Sequence, residues 1–543
     1  MRLVHGLNFD SLRGDIYGGL TAAVVALPLA LAFGVASGAG PVAGLYGAIF
    51  VGFFAALFGG TPAQVSGPTG PMTVVMAGII TQYAHDPALA FTVVMLGGFF
   101  QMLFGVFKLG RYISLMPFPV ISGFMTGIGC IIIILQIAPL FGHITPGGGV
   151  MAALMGLPDI VTDPRSHALM VGLLALGIVY LTPARIAHFV PPPLIALVAG
   201  TLAVMFVLPD AMVLGNIPQG LPSPALPSFE LALVPDMIKS ALVLALLGSI
   251  DSLLTSLVAD NVTQTHHESD RELVGQGLAN MIAGAFGAIP GAGATMRTVV
   301  NVRAGGRTPI SGMLHALVLL AIALGLGGLA EAIPHAVLAG ILIKVGIDII
   351  DWSYIRRLGR APTVGVFFMI VVLLLTVFVD LITAVAVGIV LASLLFVKRM
   401  SDLQIASMKT ITGAAEETPL NAAEEALLEA GGGRILLFHL SGPISFGAAK
   451  GLSKRLGAAD EFGALVLDLS DVPMIDSSAS FAIEDIVRQA QARDKPVILV
   501  GESPAVDKIL RSIGVIDLIG PDHCHATRSD GLRDALQALG LKD

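Results

Sequence analysis

Residues 66–75 read SGPTGPMTVV, and they combine the residues of a turn with a position between two long apolar runs. Proline fits the first turn of a helix, where its missing N–H costs nothing. Non-helical backbone is tolerated at membrane depth only where protein or a water-filled cavity satisfies its polar groups. Within a membrane-spanning chain, the stretch predicts an extended segment that leads into a half-helix beginning near the bilayer centre.

The composition around this stretch indicates a membrane protein. Of the 543 residues, 55 % are hydrophobic and 13 % are charged. From about residue 16 to about residue 397 the apolar residues form repeated stretches of roughly 18 or more, the length that crosses a bilayer. The formal charge of −8 gives no basic surface for nucleic acid. The two cysteines form neither a disulfide framework nor a cysteine metal site.

About fourteen membrane segments are predicted, some of them short. Cytoplasmic loops are enriched in Lys and Arg, and these residues follow the even-numbered segments, so we place the N-terminus and the C-terminal tail in the cytoplasm. The expected location is the cell inner (plasma) membrane, as a multi-pass protein in contact with lipid. The centres of the segments lie near Val25, Phe50, Val74, Gly97, Gly129, Leu174, Val198, Leu246, Ile282, Val299, Val318, Ala339, Val371 and Gly388.

A second interrupted segment matches the first. Residues 291–300 read GAGATMRTVV, and aligning Thr298 with Thr73 sets residues 68–70 against residues 293–295. Gly/Pro-interrupted segments in corresponding halves of a transporter point to its binding site. The residues at the two breaks are Pro68, Thr69, Gly70, Gly293, Ala294 and Thr295.

An inverted repeat would make these breaks an anion site. If segments 1–7 and 8–14 are repeats of opposite topology, the two half-helices point at each other. Each helix N-terminus carries roughly half a positive charge and free N–H donors, and two such ends facing a gap suit an anion. The alternative is a pair of structural kinks, because Gly and Pro are common in membrane helices.

The eighth segment carries an acid among apolar residues. Asp251 lies in LLGSIDSLLTSLVAD, residues 246–260, and a charge at the centre of a span costs about 2.5–3.5 kcal/mol on the insertion scale. Thr255 shares its helix face, and both residues, with the carbonyls of 293–295, offer hard oxygen ligands for an alkali cation. Asp251 as a proton carrier and Asp251 in a purely structural role are the alternatives. Arg297 either adds positive charge near the anion or pairs with an acid on a cavity wall.

Three parts of the chain are distinguished: a transmembrane domain over residues 1–398, a linker with some helix over 399–433 and a tail over 434–543. The tail alternates strand-like and helix-like stretches, which predicts a small α/β domain. His523, Cys524 and His525 are interpreted as a polar loop. The predicted strands are Arg434–Leu440, Ala464–Leu469 and Pro496–Gly501, and the predicted helices are Ser478–Arg493, Ser503–Ser512 and Gly531–Leu539.

Four stretches resemble the SulP family, the bacterial members of solute carrier family 26. They read GGLTAAVVALPLALAFGVASG, GGTPAQVSGPTGPMTVV, LLGSIDSLLTSLVADNVTQTHH and PGAGATMRTVVNVRAGGRTP, and the resemblance extends over nearly the whole chain. It implies fourteen segments as two inverted seven-helix repeats, a core domain of spans 1–4 and 8–11 that moves against a gate domain of spans 5–7 and 12–14, and a cytoplasmic STAS domain through which the chain forms a homodimer.

The resemblance also implies an activity, namely uptake of bicarbonate with Na⁺ as the coupling ion by alternating access. Relatives that use protons carry Glu near the Asp251 position, so Asp favours sodium. By the resemblance, bicarbonate contacts Thr69, Ala294 and Thr295, and Na⁺ is held by Asp251, Thr255, Gly293 and Thr295.

The tail carries a further motif of the family. Residues 471–479, DVPMIDSSA, resemble the STAS loop in which the serine after Asp is phosphorylated. We interpret Ser477 as a helix N-cap, with a regulatory phosphosite as the alternative.

Two other functions stay open at this point. One is proton-coupled uptake of sulfate or a dicarboxylate through Asp251, and the other is an anion channel or an anion sensor that signals through the STAS domain. An enzyme is not expected, because the sequence contains no nucleophile–base pair and no set of metal ligands.

Overall fold

The structure is a computed structural model, and it describes residues 4–113, 117–146, 149–187, 190–208, 211–215, 222–224, 227–325, 331–379, 381–407, 409–412, 420–446 and 462–542. The predicted topology places the acidic residues Asp210 and Asp380 in loops on the outer side of the membrane, and both lie outside the described residues. The chain forms two compact units, residues 1–389 and residues 390–543.

Within the described residues, the regular structure of the first unit is helical apart from two short strands. Its helices are α1 (Leu12–Ala36), α2 (Pro41–Phe58), α3 (Gly70–Gln82), α4 (Pro87–Val106), α5 (Gly110–Ile113), α6 (Phe118–Leu140), α7 (Gly149–Thr162), α8 (Ser166–Leu181), α9 (Ala184–Ala187), α10 (Pro192–Phe206), α11 (Val234–Thr263), α12 (Ser269–Ala285), α13 (Thr295–Arg303), α14 (Pro309–Gly325), α15 (His335–Ile349), α16 (Trp352–Ile355) and α17 (Thr363–Phe378), and α18 (Leu381–Ser407) leads into the second unit. The strands are β1 (Ser66–Gly67) and β2 (Ala292–Gly293).

Each of the fourteen predicted segment centres lies in one of these helices. In the described part of the chain, five helices are long and apolar enough to cross a membrane, and six if the pair α7–α8, bent by 111°, counts as one span. The number of crossings therefore stays a prediction. Helix α7 was not predicted as a separate element.

Small residues allow the helices of the first unit to pack closely. A Cβ on Gly98 of α4 would lie 2.5 Å from the Gly277 carbonyl oxygen of α12, and a Cβ on Gly277 would lie 2.5 Å from the Gly98 oxygen. Such reciprocal glycine contacts let two helix backbones meet without side chains between them, as membrane helices commonly do. The same contact keeps α12 in place behind the two interrupted segments.

The second unit contains a five-stranded sheet in the order β3-β4-β5-β6-β7. Strand β3 is antiparallel to β4, and the following pairs are parallel. Alternate residues of β4 enter two hydrophobic cores, Leu436 and Phe438 on one face and Ile435 and Leu437 on the other, as expected for a sheet covered on both faces. The elements are β3 (Lys409–Ile411), α19 (Ala422–Ala430), β4 (Ile435–Ser441), β5 (Ala464–Asp471), α20 (Ser477–Gln491), β6 (Val497–Val500), α21 (Pro504–Ile513), α22 (Val515–Ile519), β7 (Cys524–His525) and α23 (Arg528–Ala538).

Three details of the tail differ from the prediction. The stretch 399–433, interpreted as a linker with some helix, contains β3 and α19, and β3 belongs to the sheet. The interpretation of Ser477 as an N-cap is wrong. Asp476 is the N-cap, since its side chain accepts a hydrogen bond from the Ala479 N–H at 2.9 Å, and Ser477 is the exposed first residue of α20. His523 ends a short 3-10 turn, and Cys524 and His525 form the edge strand β7 rather than a polar loop. His523 and His525 both contact the Asp534 Oδ2 at 2.8 Å.

A buried carboxylate ties the sheet to α23. Asp468 Oδ2 lies 2.7 Å from His439 Nδ1 and accepts from Arg528 Nε at 2.7 Å. Burial raises the pKa of Asp468, but the hydrogen bonds from His439 and Ser470 and the charge of Arg528 outweigh it and lower this pKa to about 2. An acid with a depressed pKa stabilises the folded state above its unfolded pKa, and that contribution is lost as the pH falls through the folded value.

We therefore expect Asp468→Asn to destabilise the tail by about 2 kcal/mol at neutral pH. The difference from the unchanged chain should shrink as the pH falls from about 4 to about 2, because the carboxylate itself becomes protonated there. Amide hydrogen exchange in β5 of the full chain measures it. The control Asp471→Asn removes a half-exposed partner of Arg528 and should cost less than about 1 kcal/mol. Equal losses for both variants would contradict the assignment.

Candidate ion-binding site

The two interrupted segments meet in the structure. Strands β1 and β2 pair antiparallel, with Ser66 opposite Gly293 and Gly67 opposite Ala292. Helix α3 begins at Gly70 and α13 at Thr295, a few residues beyond the pairing. The structure thus brings together the two breaks that the sequence alignment matched. We call the paired strands β1 and β2 the crossing, and one helix N-terminus lies on each side of it.

The crossing requires glycine where the two backbones touch. A Cβ on Gly291 would lie 2.4 Å from the carbonyl carbon of Gly67, a distance that Cβ atoms do not adopt. Gly67 has a φ of +151°, and a Cβ there would lie 2.8 Å from Arg297 Nη1. The glycines that the sequence suggested as helix breakers therefore also permit the close approach of the strands.

Helix α11 supplies the acid and a hydroxyl beside the crossing. Thr69 Oγ1 donates a hydrogen bond to Asp251 Oδ2 at 2.7 Å, so a residue predicted for the anion contacts the residue predicted for the cation. Thr255 Oγ1 donates to the Gly293 carbonyl oxygen at 2.9 Å and lies 2.7 Å from Thr295 Oγ1. The predicted cation ligands thus lie on two successive turns of α11 and on the break that faces them.

Ser252 is a residue of the site that the sequence reasoning missed. Its hydroxyl is buried and accepts a hydrogen bond from the Gly293 N–H at 3.1 Å. The Gly293 N–H is therefore held by Ser252, while its carbonyl is held by Thr255. The Ser/Thr residues at 252, 255 and 256, on one side of α11, were a signal for this contact.

The N–H of Ala294 is not free, contrary to the expectation of free donors at the break. It donates to the Val65 carbonyl oxygen at 2.9 Å, which continues the pairing of the two strands. Donors without an intrahelical partner begin one residue later, at Thr295. Thr295 and Met296 are exposed, whereas Thr69 is buried, so the crossing is accessible from the α13 side.

Arg297 is buried and bonds to backbone rather than to an acid. Its Nη2 donates to the Pro68 carbonyl oxygen at 2.5 Å, and its Nη1 has no hydrogen-bond partner among the described residues. Of the two interpretations of Arg297, the geometry fits the one that brings a positive charge near the crossing.

A buried carboxylate behind the crossing was also missed. Glu272 of α12 accepts hydrogen bonds from the N–H groups of Gly60 and Thr61 and from the amides of Gln64 and Gln276, at 2.7–3.0 Å. These bonds fix the loop that enters β1. Glu272 is an acid in the first turn of its helix, a position that acids commonly occupy on a solvated surface, so its burial could not be predicted from its position in the sequence.

A second polar link holds the other end of the crossing. The Asn280 side chain donates to the Gly291 carbonyl oxygen at 2.9 Å and accepts from the Gly291 N–H at 2.8 Å. Val65 is held from the other side, since its N–H donates to Thr298 Oγ1 at 3.0 Å. Both extended segments are therefore held in place by hydrogen bonds to side chains of neighbouring helices.

Comparison with known families gives the class of this protein. Residues 12–372 match the sulfate permease family, and residues 430–531 match the STAS domain. The chain therefore belongs to the sulfate permease family and is a multi-pass membrane transporter with a C-terminal STAS domain. The prediction that it is not an enzyme is confirmed by this membership.

Two curated relatives are similar over almost their whole length. The chain is 48 % identical to the bicarbonate transporter BicA of Synechocystis sp., over 99 % of this chain and 97 % of the relative. It is 47 % identical to the BicA of Picosynechococcus sp., over 100 % and 97 % of the two chains.

Two solved structures share the fold. The transmembrane domain of a cyanobacterial BicA aligns with a TM-score of 0.68 and 51 % identity, over 71 % of this chain and 100 % of that one. The murine anion transporter Slc26a9 in its inward-facing state aligns with a TM-score of 0.84 and 20 % identity, over 98 % and 92 % of the two chains. The predicted fold class, a helical transporter with a STAS domain, is confirmed.

Proposed function

We propose that this protein takes up bicarbonate together with Na⁺ by alternating access. The similarity to two bicarbonate transporters at 48 % and 47 % identity supports the anion. The single observation that carries the coupling is the hydrogen bond from Thr69 to Asp251, because it joins the anion end of the crossing to the acid that would hold the cation.

The anion lies between the N-termini of α3 and α13 in this proposal. Both ends carry partial positive charge and N–H groups without intrahelical acceptors, and the Thr69 and Thr295 hydroxyls add donors. Pro68 and Gly70 line the gap through their backbone, and Ala294 contributes its side chain and carbonyl, since its N–H is already bonded. Arg297 lies next to Pro68 and adds a fixed positive charge.

Sodium binds on the α11 side of the same crossing. Asp251, Thr255, Thr295 and the carbonyl of Gly293 offer oxygen atoms, which are the ligands that a hard cation prefers. Asp251 is buried, and a bound cation would compensate its charge within the membrane.

The coupling follows from the single proton of the Thr69 hydroxyl. While this proton is donated to Asp251, the hydroxyl offers an anion only lone pairs. A Na⁺ bound to the Asp251 carboxylate replaces the Thr69 hydroxyl as its partner. The Thr69 hydroxyl can then donate its proton in a hydrogen bond to the anion. Each ion then raises the affinity of the other by the same factor. Moving both together also avoids the cost of about 2.3 kcal/mol per 100 mV that a lone anion meets.

The surrounding assembly is also part of the proposal. The protein lies in the cell inner (plasma) membrane with its N-terminus and STAS domain in the cytoplasm, and it forms a homodimer through the STAS domain. Ser477 is a regulatory phosphosite, because it is exposed at the first position of α20, where a phosphate would be stabilised by the helix N-terminus.

Uptake in proteoliposomes of the full-length protein tests the function. Labelled bicarbonate should accumulate under a Na⁺ gradient and should not respond to a pH gradient alone. Accumulation of sulfate or a dicarboxylate that follows a pH gradient would instead identify a proton-coupled transporter. Conductance far above carrier rates would identify a channel, and absence of any anion flux would leave a sensor.

Thr69→Ala should raise the half-saturating bicarbonate concentration by about tenfold, because it removes a hydroxyl hydrogen bond to a charged ligand. Initial uptake rates at saturating Na⁺ measure the change. Thr69→Ser keeps the hydroxyl and should stay close to the unchanged protein. If alanine and serine behave alike, the Thr69 hydroxyl does not contact the anion.

A further inference from the structure

A large cavity opens along the C-terminal half of α3, the helix whose N-terminus lies at the crossing. It has a volume of about 960 Å³ and lies between the ends of α1, α3, α6 and α17 and the start of α15. We call it the vestibule; residues that line it include Ser37, Thr81, Gln136, His335 and Thr376. No Lys, Arg, Asp or Glu lies among the described residues that line it.

A much smaller cavity lies between the vestibule and the crossing. Its volume is about 10 Å³, room for about one water molecule. It shares Gln136 with the vestibule, and Thr73 is the other polar residue among the described residues that line it. Its other walls are apolar, Phe33, Ile132, Leu135 and Leu342 among them.

The passage ends at the N-terminus of α3. A Cβ on Gly70 would lie 2.8 Å from the Cδ1 atoms of both Ile132 and Ile349. These two isoleucines therefore cover the first residue of α3, and Ile132 also lines the small cavity. Gly70 is buried and only a space of about 10 Å³ leads toward it, so the path from the vestibule to the anion site is closed in this state, while Thr295 and Met296 are exposed.

Thr73 breaks the usual pattern of threonines in these helices. Thr81 and Thr376 donate their hydroxyls to the carbonyl four residues earlier, at 2.8 and 2.7 Å. Thr73 is only 3 % exposed, and its Oγ1 has no hydrogen-bond partner among the described residues. A buried hydroxyl without a partner is costly to keep, so a ligand that satisfies it would explain its presence.

Gln136 supplies a second polar group on the opposite wall. It lies near the end of α6 after the apolar run Ile131–Leu135, and it is 7 % exposed. A side-chain amide inside the membrane is costly unless it is hydrogen-bonded, and its partners are other helices or a solute. Thr69 is the N-cap of α3 and Thr73 lies in its first turn, so Thr73 precedes Thr69 on the way in from the vestibule.

We propose that Thr73 and Gln136 form a second anion station, where a small oxyanion of the bicarbonate class rests between the vestibule and the crossing. The Thr73 hydroxyl and the Gln136 amide donate hydrogen bonds to it when Ile132 and Ile349 move away from Gly70. In the closed state the same groups face a space of water size. This inference rests on the proposed anion transport and adds a specificity step to it.

The test compares Thr73→Val with the matched control Thr376→Val in membrane vesicles of both orientations. Both variants exchange a buried threonine for an isosteric residue, but Thr376 already bonds to its own helix. Thr73→Val should raise the half-saturating anion concentration about tenfold on the vestibule face and leave the opposite face unchanged. Thr376→Val should change neither. Gln136→Leu should reproduce the effect on the vestibule face.

Stability provides a second readout that separates a structural role from a binding role. Removal of an unpartnered hydroxyl should leave the melting temperature of Thr73→Val at or above that of the unchanged protein. An unchanged half-saturation on the vestibule face, or an equal shift on both faces, would overturn the station. If the unchanged protein carries no anion at all, the proposed function fails instead, so the two failures are distinguishable.

Discussion

Asp251→Ala is expected to reduce Na⁺-stimulated anion uptake to the level of empty liposomes, while the protein still assembles in the membrane. The variant removes the one carboxylate of the cation site, and neutral oxygens alone leave the charge of Na⁺ uncompensated within the membrane. It also frees the Thr69 hydroxyl permanently, so anion binding without Na⁺ should persist in this variant. Uptake and equilibrium binding of bicarbonate, each measured with and without Na⁺, give both results.

The matched control for this variant is Asp236→Ala. Asp236 lies on the same helix but is exposed near its beginning, away from the crossing. It should retain sodium-dependent uptake within about twofold of the unchanged protein. An Asp251→Ala protein whose uptake still depends on sodium would remove Asp251 from the cation site.

Glu272→Ala should be the most destabilising substitution of those considered, by about 3 kcal/mol or more. It leaves two backbone N–H groups and two side-chain amides buried without their acceptor, and a hydrogen bond to a charged group contributes about 1.5–3 kcal/mol. The loop 60–64 would lose its anchor, and the strand pairing that follows it would loosen. Thermal unfolding in detergent measures the loss, with transport activity of the surviving fraction as a second readout.

Glu268→Ala serves as the control for this substitution. Its carboxylate is about half-exposed and four residues earlier in the chain, so its removal should cost less than about 0.5 kcal/mol. Glu272→Gln keeps an acceptor oxygen and should fall between the two. A Glu272→Ala protein as stable as the control would mean that the loop before β1 is held by other contacts.

The broken helices were predictable because their cause is local. Proline, glycine and the short apolar run after them can be seen in ten residues, and the same pattern recurs at 291–300. The sequence also placed Asp251 and Thr255 on one helix face, since that depends only on helical spacing. Pairing of the breaks followed from repeat symmetry rather than from any contact visible in the sequence.

The contacts that the sequence did not predict join residues far apart in the chain. The hydrogen bond from Thr69 to Asp251 joins residues 182 positions apart in the sequence, and the bond from Gln64 to Glu272 joins residues 208 positions apart. Neither carries a periodic signal. The hydrogen bond from the Ala294 N–H to the Val65 carbonyl forms only when the two strands pair. The number of free N–H donors expected for an isolated half-helix was therefore too high.

The tail shows the same division between local and long-range information. Three apolar strands and three amphipathic helices were predicted from their patterns. Strand β3 was missed because it is three residues long and follows a helix of the membrane unit, and its identity as a strand depends on pairing with β4. At the start of α20, Asp476 and Ser477 are both good capping residues, and the side chain that reaches Ala479 decided between them.

The central claim is that bicarbonate and Na⁺ bind side by side at the crossing and favour each other's binding. Binding of bicarbonate to the purified protein as a function of Na⁺ concentration tests it most directly. The account predicts that Na⁺ raises bicarbonate affinity, that bicarbonate raises Na⁺ affinity by the same factor, and that Thr69→Ala weakens this mutual effect. Bicarbonate affinity that is identical in Na⁺ and in a large organic cation would contradict it.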